Sequence, residues 1–306
     1  MGEGGGRKLP AMIILDAILQ GILMGLLFAL VALGLTIIFG VMDIVNFAHG
    51  EFLMIGMYAA YWTSLLLHVD PLVTLPASAV VGMLLGLASY YWLVKYLIRG
   101  PMIAQLFGTF GLMLFLRYLA QFLFGTDYRI IQKGLLVGKS LSLGPFILDW
   151  TKLSTAVLSL LAFLLVYYLL HRTKLGKALR ATALNKEAAA YMGIRTDRMN
   201  AFAWMIGGGT VGIAGGLLVN FWYVYPTVGL LFLMIAFASV AMGGFGSIKG
   251  AFFAGIIIGM IEMLFPVFGH LIGWDFLGPQ FKFTVVYFAY FIIVVLRPQG
   301  LFGWKR

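Results

Sequence analysis

The sequence predicts an all-α protein, a polytopic transmembrane helical bundle of about 8–10 spanning or re-entrant helices. Three observations carry that expectation. The chain is 62% hydrophobic and only 10% charged, its mean hydropathy is +1.01, and its apolar residues fall in long runs between short polar stretches. A soluble chain carries about a quarter charged residues and needs polar surface to face water. This one has too little, so lipid is its expected solvent.

Runs long enough to cross about 30 Å of hydrocarbon at 1.5 Å per residue lie near 12–40, 45–68, 74–98, 102–124, 151–171, 200–223, 229–246, 250–270 and 281–297, about nine in all. The stretch 229–246 is short and glycine-rich, and Pro101, Gly108 and Gly111 weaken 102–124, so either is a candidate broken or re-entrant element. Residues 1–10 read as an N-terminal tail and 11–306 as a single membrane domain. Asp16 and the continuation of the first run to about Phe39 argue for a retained span rather than a signal peptide. Glycines at four-residue spacing (Gly21/Gly25, Gly82/Gly86, Gly208/Gly212/Gly216, Gly255/Gly259) predict close helix contacts. Pro226, Pro266 and Pro279 read as helix ends or kinks.

The 21 Lys and Arg against 11 Asp and Glu give a net charge of +10. These charges sit between the apolar runs, the pattern of a cytoplasmic membrane face, with no basic groove or stacking platform for nucleic acid. The segment 172–198 holds Arg172, Lys174, Lys177, Arg180, Lys186, Arg195 and Arg198 against Glu187 and Asp197, which places it in the cytoplasm. Lys95, Arg99 and the tail 297–306 then fall on the same side, and 125–150 outside despite Arg129, Lys133 and Lys139. Cysteine is absent, so no disulfide, thiolate metal site or cysteine nucleophile is available. Residues 133–140 imitate a phosphate-binding loop but put Lys133 where a glycine is required. Turn and extended chain through Pro145 follow instead of a helix, so ATP is not an expected ligand of this chain.

The densest polar cluster between two apolar runs is 40–51, with Asp43, Asn46, His49 and Glu51. At 100° per residue Asp43, Asn46 and Gly50 share an arc of about 60°, whereas Glu51 stands about 160° from His49. One smooth helix cannot aim all of them at one pathway. Two readings follow: a helix break inside the bundle that leaves polar groups free for a partner or solute, or a solvated surface loop. One His with two carboxylates at these spacings gives no recognisable metal-ligand set. Asp16, Arg117 and Glu262 are the other charges within apolar runs. Arg117 reads either as half of a salt bridge, with Glu262 as a candidate partner, or as a contact for a solute carboxylate.

In the 172–198 loop, Asn185 is placed to cap a short helix, Glu187 to sit at its positive end and Gly193 to stop it. Leu184, Ala188, Tyr191 and Met192 then form one apolar stripe between basic flanks, suited to a partner's groove or to a lipid surface.

Three stretches resemble the LivH-type permease family of ABC importers for branched-chain amino acids: residues 32–52, Glu187 to Arg198, and Gly243 to Gly250. The closing Arg297 to Gly303 also fits, and the match spans nearly the whole chain after residue 11. The resemblance implies a transport subunit rather than an enzyme. It also implies a LivM-like sister permease, two cytosolic ATPases that bind the ATP and Mg, an extracytoplasmic solute-binding protein, and the inner membrane of a bacterium or archaeon. For such a subunit the polar cluster and the weakened span 102–124 make Asp43, Asn46, His49, Glu51, Gly108, Thr109 and Arg117 candidates for a translocation pathway. Leu184, Glu187, Ala188, Ala189, Tyr191, Met192 and Gly193 become candidates for ATPase docking. Related permeases handle urea, amides or other small acids. A carrier acting alone would not need the docking helix, and an intramembrane enzyme would need paired catalytic groups that only 43–51 approaches.

Overall fold

The computed structural model describes residues 4–131, 134–143, 146–273 and 278–303. The apolar runs become α1 (Gly4–Met42), α2 (His49–Leu67), α3 (Leu75–Ser89), α4 (Lys95–Leu97), α5 (Met102–Phe124), α6 (Trp150–Arg172), α7 (Lys174–Leu184), α8 (Lys186–Tyr191), α9 (Thr196–Leu218), α10 (Val228–Gly243), α11 (Ile248–Ile272) and α12 (Lys282–Leu296). Six helical stretches among the described residues are long and apolar enough to cross a membrane: Met12–Met42, Pro71–Leu97, Met102–Phe124, Trp150–Arg172, Thr196–Leu218 and Ile248–Ile272. The 19-residue α2 and the shorter α10 and α12 account for the other three expected runs.

Helix ends sort onto two faces. On one, Gly40 abuts Gly246 and Gly244 abuts Gly300 and Gly303, while Lys95 Nζ lies 3.3 Å from Asp197. The basic segments 95–99, 172–198 and 297–303 therefore share a face, as the charge pattern requires. On the other, Asp70 Oδ2 accepts from the Leu135 N–H at 2.5 Å, and Arg129 and Val224 exchange backbone hydrogen bonds of 3.0 and 2.7 Å. Arg129, out of place by charge, is used here structurally: it donates to the Phe124 carbonyl at 2.6 Å and lies 5.2 Å over the Trp62 ring.

Glycine spacing translates directly into packing. Gly21 and Gly25 of α1 meet the backbone of Gly259, Met260, Gly255 and Ile256 of α11, and Gly82 and Gly86 of α3 meet Gly208, Gly212 and Trp204 of α9. In lipid no hydrophobic gain separates helix–helix from helix–lipid contact, so backbone approach of this kind supplies the dispersion energy that holds spans together. Around these two seams lies the core, with Phe28, Phe52, Tyr58, Tyr90, Trp204 and Phe232 among its largest fully buried side chains.

Several expectations are corrected. Both α5 and α10 run unbroken, whereas the break expected within 40–51 is present at 43–48, and a π turn, Tyr90–Val94, joins α3 to α4. Intact i→i−4 bonding outweighs the weak propensity of Gly108 and Gly111. Helix α1 begins inside the expected tail, because a helix nucleated in the apolar run extends backward at one bond per residue. The expected all-α class holds, with one short hairpin in the connection before α6: β1 (Ser140–Leu143) pairs antiparallel with β2 (Phe146–Asp149), Ser140 opposite Asp149, and Leu148 packs with Leu23 and Ala156. Pro266 is inside α11, whereas Lys133 and Pro145 lie outside the described residues.

A side chain at Gly208 would meet the Gly82 carbonyl, while one at Gly111 meets nothing within 4 Å. Gly208→Val is therefore expected to force α3 from α9 and cost at least about 1–3 kcal/mol. Gly111→Ala, on an open helical position, should be neutral or stabilising by up to about 1 kcal/mol. Thermal unfolding of the two detergent-purified variants checks both.

Candidate functional site

The polar cluster is built on the break between α1 and α2. Asp43 takes a left-handed conformation, φ 55°, which Asp tolerates better than most side chains, and its N–H closes the last turn of α1 on the Phe39 carbonyl at 2.7 Å. Asn46 Oδ1 then accepts from the Ala48 N–H at 3.0 Å, an Asx turn that starts α2 in a new direction. Of the two readings of 40–51, the interior break is the observed one. Asn46, His49 and Glu51 are fully buried, while Asp43 stays exposed at the face shared with the basic segments.

Each buried group is held by a different neighbour. His49 Nε2 lies 2.9 Å from the Val31 carbonyl of α1; since a carbonyl only accepts, the proton sits on Nε2. Glu51 points the other way, to α5. Its Oε1 accepts from Arg117 Nε at 3.1 Å and Nη2 at 2.5 Å, with the Glu51 side chain 1% exposed and that of Arg117 14%. Thr109 donates at 3.1 Å to the Val45 carbonyl in the break and at 3.1 Å to Leu106, and Phe47 packs against Phe110 and Phe237 at 6.2 and 5.5 Å. Beside the pair, Gly50 of α2 and Gly229 at the start of α10 abut backbone to backbone. Two helices thus begin inside the bundle, an arrangement that leaves terminal N–H groups at depth.

The structure brings together Asn46, His49, Glu51, Thr109 and Arg117 of the seven pathway candidates. It sets apart Asp43, at the surface, and Gly108, whose open side is filled by Leu97 at the α4–α5 turn. The expected Arg117–Glu262 partnership is wrong. Glu262 pairs with Lys282 Nζ at 2.6 Å, joining α11 to α12, because both carboxylates find a cation on a helix adjacent to their own. Lys282 was missed in the sequence for lying at the very start of an apolar run, where a snorkelling surface lysine is the ordinary expectation. The contact between Gly50 and Gly229 also escaped notice; their shared position at helix starts is the signal that would have found it. Among the described residues no group of three or more His, Asp or Glu is arranged to hold a metal ion.

The second candidate region is the connection from α6 to α9. Thr173 Oγ1 caps α7 by accepting from the Gly176 N–H at 3.1 Å, and α7 buries Gly176, Leu179 and Thr182. Asn185 Oδ1 caps α8 through the Ala188 N–H at 2.9 Å, and Gly193, φ 82°, ends it, as the sequence indicates. The stripe is fully presented: Leu184, Tyr191 and Met192 are 87, 88 and 83% exposed, and Ala188 and Glu187 are exposed beside them. Ala189 is the exception, since it faces its own chain and is buried. The helix itself is one turn and a half rather than two, six residues long.

A membrane bundle with a buried ion pair at interior helix ends, and an exposed apolar knob on its basic face, has the parts of a permease that works with other subunits. The family described as branched-chain amino acid transport system / permease component matches residues 17–295. This chain belongs to that family. It is 29% identical to the high-affinity branched-chain amino acid transport system permease protein LivH of Salmonella typhimurium, over 94% of this chain and 95% of the relative. Against the probable LivH of Methanocaldococcus jannaschii the identity is 30%, over 94% and 93%, and against BraD of Pseudomonas aeruginosa 27%, over 94% and 95%. Among solved structures none matches. As a member of the permease family the chain is a multi-span membrane transport component, and its buried polar groups are read in that light.

Removing one member of a buried pair leaves the other charge without compensation, at about 3–5 kcal/mol. Glu51→Gln and Arg117→Met are each expected to lower stability by that order, whereas the double variant, with both charges gone, should recover most of the loss. A double-mutant cycle by thermal unfolding measures the coupling.

Proposed function

We propose that the chain lines the translocation pathway of an ABC importer for branched-chain amino acids in the inner membrane of a bacterium or archaeon. It would do so with a sister permease, two cytosolic ATPases that bind the ATP and Mg, and an extracytoplasmic solute-binding protein. The observation that carries this reading is the knob of α7 and α8 on the basic face, with Leu184, Tyr191 and Met192 held in the open by two capped helices. Apolar side chains so exposed next to Lys174, Lys177, Arg180 and Lys186 call for a groove to cover them. A lipid surface is the second candidate cover, but the knob is only one turn and a half deep and follows a helix already anchored in the bundle. The cover is an ATPase cleft.

Mechanically, α7 and α8 bridge the spans α6 and α9, and α9 forms the glycine seam with α3. A groove that moves on ATP binding would tilt α6 and α9 through this connection. The tilt would reach the break at 43–48, because Gly207 and Thr210 of α9 abut Gly34 beside His49. Transport and hydrolysis are coupled along that line.

Ala188→Trp, on the exposed side, is expected to abolish solute-stimulated hydrolysis and uptake in proteoliposomes while the membrane segments stay inserted. Wild-type uptake by a well-expressed Ala188→Trp protein would sink the docking assignment. Ala189→Trp, on the buried side, should instead reduce the yield of folded protein. Co-purification of the ATPases with each variant separates the two effects.

A further inference from the structure

The Arg117–Glu51 contact is an unfinished ion pair. Both guanidinium donors fall on one carboxylate oxygen, Oε1, where a fork-to-fork arrangement would have used two. Glu51 Oε2 is buried without a hydrogen-bond partner, and so is Asn46 Nδ2 at the same helix end, on side chains that are themselves fully buried. Orphaned polar groups of this kind, an acceptor and a donor, are rare in folded proteins and ask for an explanation. Nη1 of Arg117 takes no part in the pair, and the Arg117 side chain is the more accessible of the two.

The pair also blocks its own pathway. Gly50 and Gly229 abut beside it, so a solute can pass only if α2, α5 and α10 move apart and the two charges separate. In a low-dielectric interior, separated charges are strongly disfavoured unless each gains a new counter-charge. A free α-amino acid brings both: its carboxylate meets the guanidinium and its ammonium meets Glu51 Oε2, two opposite charges on groups attached to one carbon against two opposite charges already in contact. A solute carrying only one charge leaves one of the two side chains unpaired.

We propose that Glu51 and Arg117 together form a subsite that reads the zwitterionic head of the transported amino acid, exchanging their mutual bond for one bond each to the solute. The proposal rests on the reading of this chain as a translocation pathway and adds to it the residues that recognise the solute's charges. Recognition at this point is independent of the solute's side chain.

The test compares three solutes of one aliphatic shape on the permease–ATPase complex in nanodiscs without the solute-binding protein, with empty nanodiscs as baseline: leucine, 4-methylpentanoate, which lacks the ammonium, and 3-methylbutylamine, which lacks the carboxylate. Binding is followed by saturation-transfer NMR. Wild type should favour leucine over both analogues by at least about tenfold, since a site built for a polar group rejects a ligand without it. In Glu51→Gln the advantage over 4-methylpentanoate should vanish, and in Arg117→Gln the advantage over 3-methylbutylamine. If a single variant fails to assemble, Glu51→Gln/Arg117→Met, which buries no lone charge, should assemble and bind the three solutes alike. Unchanged ratios in the variants, or equal binding of the three by a wild type that imports leucine, overturn the subsite. Failure of wild type to import leucine with its receptor and ATPases present overturns the function it rests on.

Discussion

The contact between Arg117 Nη2 and Glu51 Oε1, 2.5 Å long, is the interaction to which the surrounding architecture is answerable. A guanidinium in hydrocarbon is costly, so α5 can place Arg117 at depth only where a carboxylate awaits it. Glu51 can be there only if α2 starts inside the bundle, and α2 starts there only because the chain turns at Asp43 and Asn46. The turn in turn needs Thr109 to satisfy the Val45 carbonyl and α1 to receive His49. Removing any one of these leaves a polar group in a place that water does not reach.

A second constraint, independent of charge, is backbone proximity. The α1–α11 and α3–α9 seams are made of glycine against glycine or backbone, and they are the rigid parts of the bundle. By contrast α5 and α6 bury few of their residues and α12 buries only Val286. The most loosely packed spans are thus the ones held by specific polar bonds, Arg117–Glu51 for α5 and Lys282–Glu262 for α12. Directional bonds suit elements that must shift between two positions, because they can be exchanged one for another, while a glycine seam can only hold or fail.

Much of this was legible in the residues. Hydropathy located all nine apolar runs, and the polar cluster 40–51 marked the break, although His49 and Glu51 both follow it on α2 and face opposite sides of that one helix. The glycine spacing located both seams, and Asn185 and Gly193 located α8. What escaped were matters of tertiary neighbourhood or short-range geometry. No periodicity tells which helix stands beside Arg117, so Glu262 was as good a candidate as Glu51. Ala188 and Ala189 are indistinguishable until α7 is seen to seat the loop on the bundle. The extended chain after residue 140 was legible, but the pairing of strands as short as β1 and β2 was not, and Gly108 is covered by a single side chain, Leu97, from another helix.

The π turn at Tyr90–Val94 carries a consequence of a different sort. There the Lys95 N–H reaches back to the Tyr90 carbonyl, five residues away, so the helix holds one residue more than its regular turns require. That surplus lets both Tyr90 and Lys95 meet Asp197, at 2.6 and 3.3 Å, while Gly82 and Gly86 above them still face α9. A chain shorter by one residue in this turn would keep a perfectly good α-helix and the same hydropathy profile, yet every residue below the turn would be rotated by about 100°. Length at this point, which no composition or substitution score registers, sets whether the span that ends at Leu97 and the span that begins at Thr196 are also fastened by side chains at this end, beyond their glycine seam.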